Sequence, residues 1–125
     1  MSNKNKKQFG VWMDSHHATV VGKADFETED FLILGHVINQ GADNNSNEKT
    51  SNNQDIALTN KFFKEIASLM PNVDEIHVTG TGIVQAQFIN FLSETPHYKN
   101  ALFSESTSNK MSDGNIAEFI MNQFK

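Results

Sequence analysis

The chain has 125 residues, of which 38% are hydrophobic, and a net charge of −5. This length supports one domain with a real core and is too short for two. No run of about 18 apolar residues is present, which excludes a bilayer-spanning helix, and the absence of cysteine excludes disulfides and thiolate metal sites. With no signal peptide apparent, we expect one cytoplasmic domain over 1–125 that does not associate with a membrane.

The basic residues of the chain are all lysines, and arginine is absent. Arginine is the preferred group for a bidentate grip on phosphate or guanine. Its absence and the negative net charge weigh against a large surface that neutralises nucleic-acid phosphates. Any contact with RNA is therefore expected to be weak.

The first part of the chain predicts an antiparallel meander of three strands. Residues 9–13 are almost continuously apolar, which is typical of a central strand covered on both faces. The turn-prone residues 14–17 lead to a second strand over 18–24, so that 9–24 forms a hairpin. The third strand is predicted over 31–38.

Two segments offer almost nothing to bury. Residues 40–54 are rich in Asn, Ser, Asp, Thr and Gly, which predicts a disordered loop, either functional or a tolerated insertion. The basic residues 1–7 predict a flexible N-terminal tail. The rest of the chain is expected to form a single domain.

The second part of the chain predicts helices alternating with strands. Asp55 is a candidate cap for a helix that runs to about residue 70. A strand over 73–79 leads through a glycine turn to a helix over 83–94, and a short strand over 101–106 follows. Ser112 then caps a last helix with apolar residues at helical spacing.

The predicted order of elements is β-β-β-α-β-α-β-α. Three antiparallel strands followed by two right-handed parallel crossovers give a five-stranded mixed sheet with helices on both faces. The predicted fold class is therefore α/β, in the ribonuclease H-like arrangement.

Three segments of the chain resemble one family of translation proteins. Residues 9–22 are similar to its opening hairpin, 73–91 to its strand, glycine turn and helix, and 104–119 to its closing strand and helix. The family comprises the middle domain of archaeal and eukaryotic class I peptide-chain release factors and of Pelota, with related bacterial release-factor-like proteins. The resemblance implies the ribonuclease H-like fold and a role in translation.

The segment after the third strand departs from the family pattern. In release factors it carries Gly-Gly-Gln, which enters the peptidyl-transferase centre, whereas 40–54 contain neither this motif nor a basic cluster. Within these 125 residues we also do not expect the flanking recognition and partner-binding domains of the family. Peptidyl-tRNA hydrolysis is therefore not expected of this chain.

Asp14 is the first candidate site residue, because ribonuclease H-like nucleases place a metal-binding carboxylate at the end of the first strand. A two-metal site needs several converging carboxylates. Glu65 is a candidate for the second, but the fourth strand ends at 79–80 without one, and Glu105 and Asp113 are uncertain substitutes. The favoured interpretation is that Asp14 bonds nearby backbone amides in a turn, with no metal bound.

A polar site formed by Asp14 and His16 is a second interpretation of the same strand end, since the two side chains can share one side of a strand. No third ligand is in sight, which argues against zinc. His36 and His77 fall in strands and are expected to be satisfied histidines at the edge of the core. No serine with a plausible base stands out as a nucleophile.

The turn formed by Gly80, Thr81 and Gly82 is a candidate anion site, because backbone N–H groups at a helix N-terminus attract anions. It matches neither a Walker loop nor a dinucleotide fingerprint. The favoured interpretation is structural, with the glycines allowing a tight turn and Thr81 capping the helix.

Taken together, the sequence predicts a non-enzymatic binding module without a cofactor, an accessory of the translation machinery that contacts the ribosome or RNA. Its shape and the lysines Lys4, Lys6 and Lys7 would make that contact. Two alternatives stay open. One is a metal-dependent nuclease or phosphodiesterase that uses Asp14 and Glu65, and the other is a homo-oligomeric structural protein that associates through a sheet edge or helix face.

Overall fold

A computed structural model describes residues 7–14, 16–23, 31–39, 52–70 and 73–124 of the chain. A short 3₁₀ turn, Pro96–Tyr98, follows the second helix. The strands and helices in chain order are β1 (Gln8–Met13), β2 (His17–Lys23), β3 (Phe31–Ile38), α1 (Asn52–Ser68), β4 (Glu75–Gly80), α2 (Ile83–Ser93), β5 (Leu102–Thr107) and α3 (Asp113–Gln123).

The five strands form one mixed sheet in the order β3-β2-β1-β4-β5. The pairs β1–β2 and β2–β3 are antiparallel, and the pairs β1–β4 and β4–β5 are parallel. Strand β1 is central and buried along its whole length, with Trp12 and Met13 fully enclosed. The predicted fold class, a five-stranded mixed α/β sheet of the ribonuclease H-like type, is confirmed.

The helices cover both faces of this sheet, as predicted. The larger apolar cluster lies on the face of α1 and α2 and includes Val11, Phe62 and Phe88. The smaller cluster joins Trp12 to Ile116 and Ile120 of α3 on the opposite face. Alternate residues of a strand point to opposite faces, which is how β1 supplies both clusters. Among the described residues, no helix has the length and apolar character of a membrane span.

Helix α1 begins earlier than predicted. It starts at Asn52 and not beside Asp55, so residues 52–54 of the predicted disordered loop are helical. Once a helix has nucleated, adding a residue at its end costs little, even for Asn and Gln. The rest of that loop, 40–51, lies outside the described residues.

Lys7 is the one described residue of the predicted flexible tail. Its backbone N–H donates to Asp74 Oδ2 at 2.8 Å, and its carbonyl accepts from the N–H groups of Asp74 and Glu75 at 2.9 and 3.1 Å. Lys7 is thus held beside β4, and the prediction of a flexible tail was wrong at this residue. Residues 1–6 lie outside the described part of the chain.

Strand β4 begins and ends later than predicted, at Glu75 and Gly80 instead of 73 and 79. Strand β5 is likewise shifted by one residue at each end relative to the predicted 101–106. The reason is tertiary, because pairing with β1 and β4 determines where each strand begins and ends. Gly80 opposes Met13 in the β1–β4 pair, and Thr107 opposes Gly80 in the β4–β5 pair.

Candidate functional site

The carboxyl ends of the parallel strands β1 and β4 lie side by side. Met13 and Gly80 are the last residues of these strands and are paired with each other. Asp14 follows the first strand and Thr81 follows the second. Open α/β sheets bind ligands outside such strand ends. This edge therefore brings together the candidate residues Asp14, His16, Gly80, Thr81 and Gly82.

The carboxylate of Asp14 is engaged by its own turn. Its Oδ1 accepts hydrogen bonds from the backbone N–H groups of His16 and His17, both at 2.8 Å, and lies 3.4 Å from His17 Nδ1. The exposed His16 accepts a hydrogen bond from Asn39 N–H at its carbonyl oxygen, 2.7 Å away. Asp14 thus closes the turn between β1 and β2, which is the geometry of an Asx turn.

The other candidate carboxylates lie on different elements. Glu65 is exposed on α1 beside Ile38 and Lys61. Glu105 is exposed on β5, and Asp113 Oδ2 lies 3.0 Å from His36 Nε2, which ties the start of α3 to β3. Across the described ranges, the structure contains no group of three or more His, Asp or Glu side chains that could hold a metal ion.

The glycine turn is closed by a side chain from its own helix. The N–H of Gly82 donates to Gln85 Oε1 at 2.8 Å, and Gln85 Nε2 donates to the carbonyl oxygen of Ser106 at 2.9 Å. Gln85 is fully buried. Gly82, with φ 151°, is the residue at the N-cap of α2, and Thr81 is exposed. The predicted cap at Thr81 was therefore wrong, and the turn keeps one N–H fewer for an anion.

Gly80 is required by the close approach of two strands. A Cβ atom at this position would overlap the carbonyl oxygen of Met13, which belongs to the backbone and cannot rotate away. Only glycine lets β4 pair with β1 at this point. The glycine is thus needed by the sheet, whether or not the turn binds an anion.

A chain of hydrogen-bonded side chains lies on the face of β4 and β5 that is turned toward α3. His77 Nδ1 is 2.7 Å from Ser104 Oγ, and His77 Nε2 is 2.8 Å from Ser106 Oγ. Ser106 donates to Thr79 Oγ1 at 2.8 Å, and Thr79 Oγ1 is 2.8 Å from Ser108 Oγ. We call these five residues the hydroxyl–imidazole chain.

His77 is the buried member of this chain between Ser104 and Ser106. The residue is only 4% exposed, and Phe119 of α3 meets its ring edge-on at a ring-centroid distance of 6.1 Å. Burial lowers the pKa of His77 below its ordinary value of 6.5, because the cationic form loses its hydration. The imidazole is therefore neutral at neutral pH and keeps one nitrogen as a hydrogen-bond acceptor.

Sequence reasoning missed the hydroxyl–imidazole chain. His77 was placed in a strand as a satisfied histidine, but no serine was connected with it. The signal was present as Ser104, Ser106 and Ser108 at every second position, opposite an alternation of His77 and Thr79. It becomes informative only with the register of β4 and β5, in which His77 pairs with Ser104 and Thr79 with Ser106.

Solved structures of Pelota and of an archaeal translation termination factor share this fold. The Pelota protein of Thermoplasma acidophilum matches 96% of this chain at 18% identity and a TM-score of 0.62. The Pelota of Archaeoglobus fulgidus matches 96% at 14% identity and a TM-score of 0.55. The archaeal translation termination factor aRF1 matches 98% at 12% identity and a TM-score of 0.58. The predicted resemblance to one domain of these proteins is confirmed at the level of the fold.

The chain spans about a third of the length of these solved chains, with 34% of each Pelota and 36% of aRF1 covered. No family model matches the sequence. No curated protein matches it either.

Proposed function

We propose that this protein is a cytoplasmic binding module that acts as an accessory of the translation machinery. The observation that carries the proposal is the likeness in fold to Pelota and to an archaeal translation termination factor over nearly the whole chain. The proposed partner is the ribosome, contacted through protein or RNA.

The strand-end geometry supports binding over hydrolysis. Oδ1 of Asp14 already accepts two backbone N–H groups, which makes this oxygen a weaker metal ligand. The N–H of Gly82 at the same edge is bonded to Gln85 and is not free to hold the phosphate of a nuclease substrate. Glu65, the partner carboxylate of the nuclease alternative, projects from the exposed side of α1. No observation favours the nuclease alternative over a binding role.

Charge limits how the protein can hold a ribosome. The net charge is −5, and the exposed lysines of the described ranges are spread over α1, the segment after the 3₁₀ turn and the loop before α3, at Lys61, Lys64, Lys99 and Lys110. Surface shape must therefore contribute more to affinity than phosphate contacts do. Phosphate contacts by Lys4, Lys6 and Lys7 alone would lose about 20- to 40-fold in affinity between about 50 and 200 mM salt.

Co-sedimentation with ribosomes tests the proposal. We expect the protein to pellet with purified ribosomes at low salt. Part of it should still pellet as the salt concentration rises from about 50 to 200 mM. The variant in which Lys4, Lys6 and Lys7 are changed to Gln should pellet less at low salt and show a flatter salt dependence. A sample without ribosomes controls for self-association. Absence from the pellet at every salt concentration would rule out the proposed role.

A further inference from the structure

The hydrogen bond between Ser106 and Thr79 has a defined donor, and this determines the roles of the neighbouring groups. Ser106 has a single hydroxyl proton and donates it to Thr79 Oγ1 at 2.8 Å. Ser106 Oγ can therefore meet His77 Nε2, also at 2.8 Å, only as an acceptor. It follows that Nε2 carries the proton of the neutral imidazole.

This tautomer determines the role of the other ring nitrogen. With the proton on Nε2, Nδ1 is an acceptor, so Ser104 donates its hydroxyl proton to it across 2.7 Å. The distance is that of a short, well-formed hydrogen bond. A hydroxyl that donates to a neutral imidazole held in place by a third group has the arrangement of an activated nucleophile. Here the third group is Ser106.

Ser104 is also accessible, unlike its base. Its side chain is exposed on β5, whereas His77 is almost entirely buried. Strand β5 is at the end of the sheet order, so one of its edges has no strand beside it within the described residues. An electrophile can thus approach the hydroxyl from solvent while the base stays shielded.

The backbone N–H that follows Ser104 along the chain belongs to Glu105. The N–H groups of Leu102 and Ser108 donate to the β4 side, to Asp74 O at 2.9 Å and Gly80 O at 2.7 Å. Because backbone N–H directions alternate along a strand, the N–H of Glu105 points away from β4, toward the open edge. An N–H immediately after a nucleophile is suited to stabilise a developing oxyanion.

We propose that Ser104 is a reactive hydroxyl that accepts an acyl group from activated esters, with His77 as its general base. Ser104 Oγ attacks the ester carbonyl carbon while its proton passes to His77 Nδ1. The tetrahedral oxyanion collapses, the bond to the leaving alcohol breaks, and His77 returns the proton to the leaving oxygen. The product is an O-acyl serine at position 104, and no other reactant is needed.

The test uses p-nitrophenyl acetate as the probe on the full chain, with peptide mapping by mass spectrometry to follow acetylation residue by residue. Ser93 is a matched internal control, because it is exposed and its hydroxyl donates to the carbonyl oxygen of Asn90 instead of a base. General-base assistance typically contributes about 10²–10⁴-fold. We expect Ser104 to be acetylated at least about tenfold faster than Ser93.

Variants identify the cause of that difference. In His77→Gln, Ser104 should be acetylated no faster than Ser93, and circular dichroism checks that the variant is folded. If His77→Gln does not fold, Ser106→Ala serves in its place. Without the Ser106 hydroxyl to accept from Nε2, the imidazole proton can move to Nδ1, and acetylation of Ser104 should slow. Equal rates at Ser104 and Ser93 in the wild type, or an unchanged Ser104 rate in the folded variants, would overturn the proposal.

Discussion

Gly80 and Gly82 stand two positions apart and meet different physical constraints. At Gly80 an added Cβ atom would overlap a backbone oxygen of the neighbouring strand, whereas at Gly82 nothing lies within 4 Å of such an atom. The constraint at Gly82 is its φ of 151°, which side chains rarely adopt. The turn thus depends on one glycine for space and on the other for conformation.

Alanine substitutions should separate these two constraints. We expect Gly80→Ala to lower the free energy of unfolding by about 3 kcal/mol or more, at the upper end of overpacking costs. Gly82→Ala should cost about 1–3 kcal/mol, the range for a strained backbone. Urea unfolding measures both, and Gly114→Ala in α3 is the control, because the site is open and alanine favours helix by about 0.5–1 kcal/mol. A Gly80→Ala protein as stable as the wild type would mean that β1 and β4 separate easily.

Helix α3 is defined at its start by local chemistry and along its length by packing. Ser112 is its N-cap, and its Oγ accepts the N–H of Asn115 at 3.3 Å. Asp113 adds a negative charge in the first turn, where the helix dipole favours it. Ile116 and Ile120 then pack on Trp12, whose Nε1–H donates to the carbonyl oxygen of Asn109 at 3.2 Å. The apolar spacing that predicted this helix is therefore the same spacing that attaches it to the sheet.

The cap can be removed without disturbing that packing. We expect Ser112→Ala to lower the free energy of unfolding by about 1 kcal/mol, the usual cost of losing a serine N-cap. Ser93→Ala, at the exposed end of α2, is the matched control and should change stability by less than about 0.5 kcal/mol. Chemical unfolding of the wild type and of the two variants measures these differences in the free energy of unfolding. Equal losses in both variants would show that the Ser112 hydroxyl does not support α3.

At the scale of the whole molecule, His77 makes folding sensitive to pH. Burial lowers its pKa in the folded state below 6.5, so below about pH 6.5 the unfolded chain binds a proton that the folded chain does not. This contribution to stability is complete above pH 6.5 and is lost as the pH falls through the folded-state pKa. The contacts of β4 with β5 and with α3 are then weakened together, because His77 of β4 touches Ser104, Ser106 and Phe119.

The prediction is a decline in the free energy of unfolding below pH 6.5, with a slope from this one group of at most about 1.4 kcal/mol per pH unit. A His77→Gln variant binds no proton at this position and should lack that part of the slope. Urea unfolding at a series of pH values from 7.5 downward, about half a unit apart, compares the two proteins, with the other histidines common to both. Parallel curves would contradict a depressed pKa at His77.

Local patterns predicted most of the architecture. Apolar runs, turn residues and helical spacing predicted the five strands and three α-helices of the described residues, and their order led to the mixed sheet, because topology rules leave few ways to connect such elements. Boundaries were less certain, as the start of α1 at Asn52 and the end of β4 at Gly80 illustrate. Gln85, three residues after the N-cap Gly82, is a further local signal, because a glutamine at this position can accept the backbone N–H of the N-cap.

By itself the sequence determined the elements and the fold class, since these depend on periodicity and order along the chain. The resemblance to one domain of Pelota and the release factors came from the wording of three segments, 9–22, 73–91 and 104–119. Tertiary structure decided which side chains meet. The parallel register of β4 and β5 places His77 against Ser104 and Ser106, residues that are 27 and 29 positions away. The approach of β1 to β4 makes Gly80 indispensable. Such contacts follow from strand pairing across long sequence separations, and a pattern confined to one strand carries no information about its partner's register.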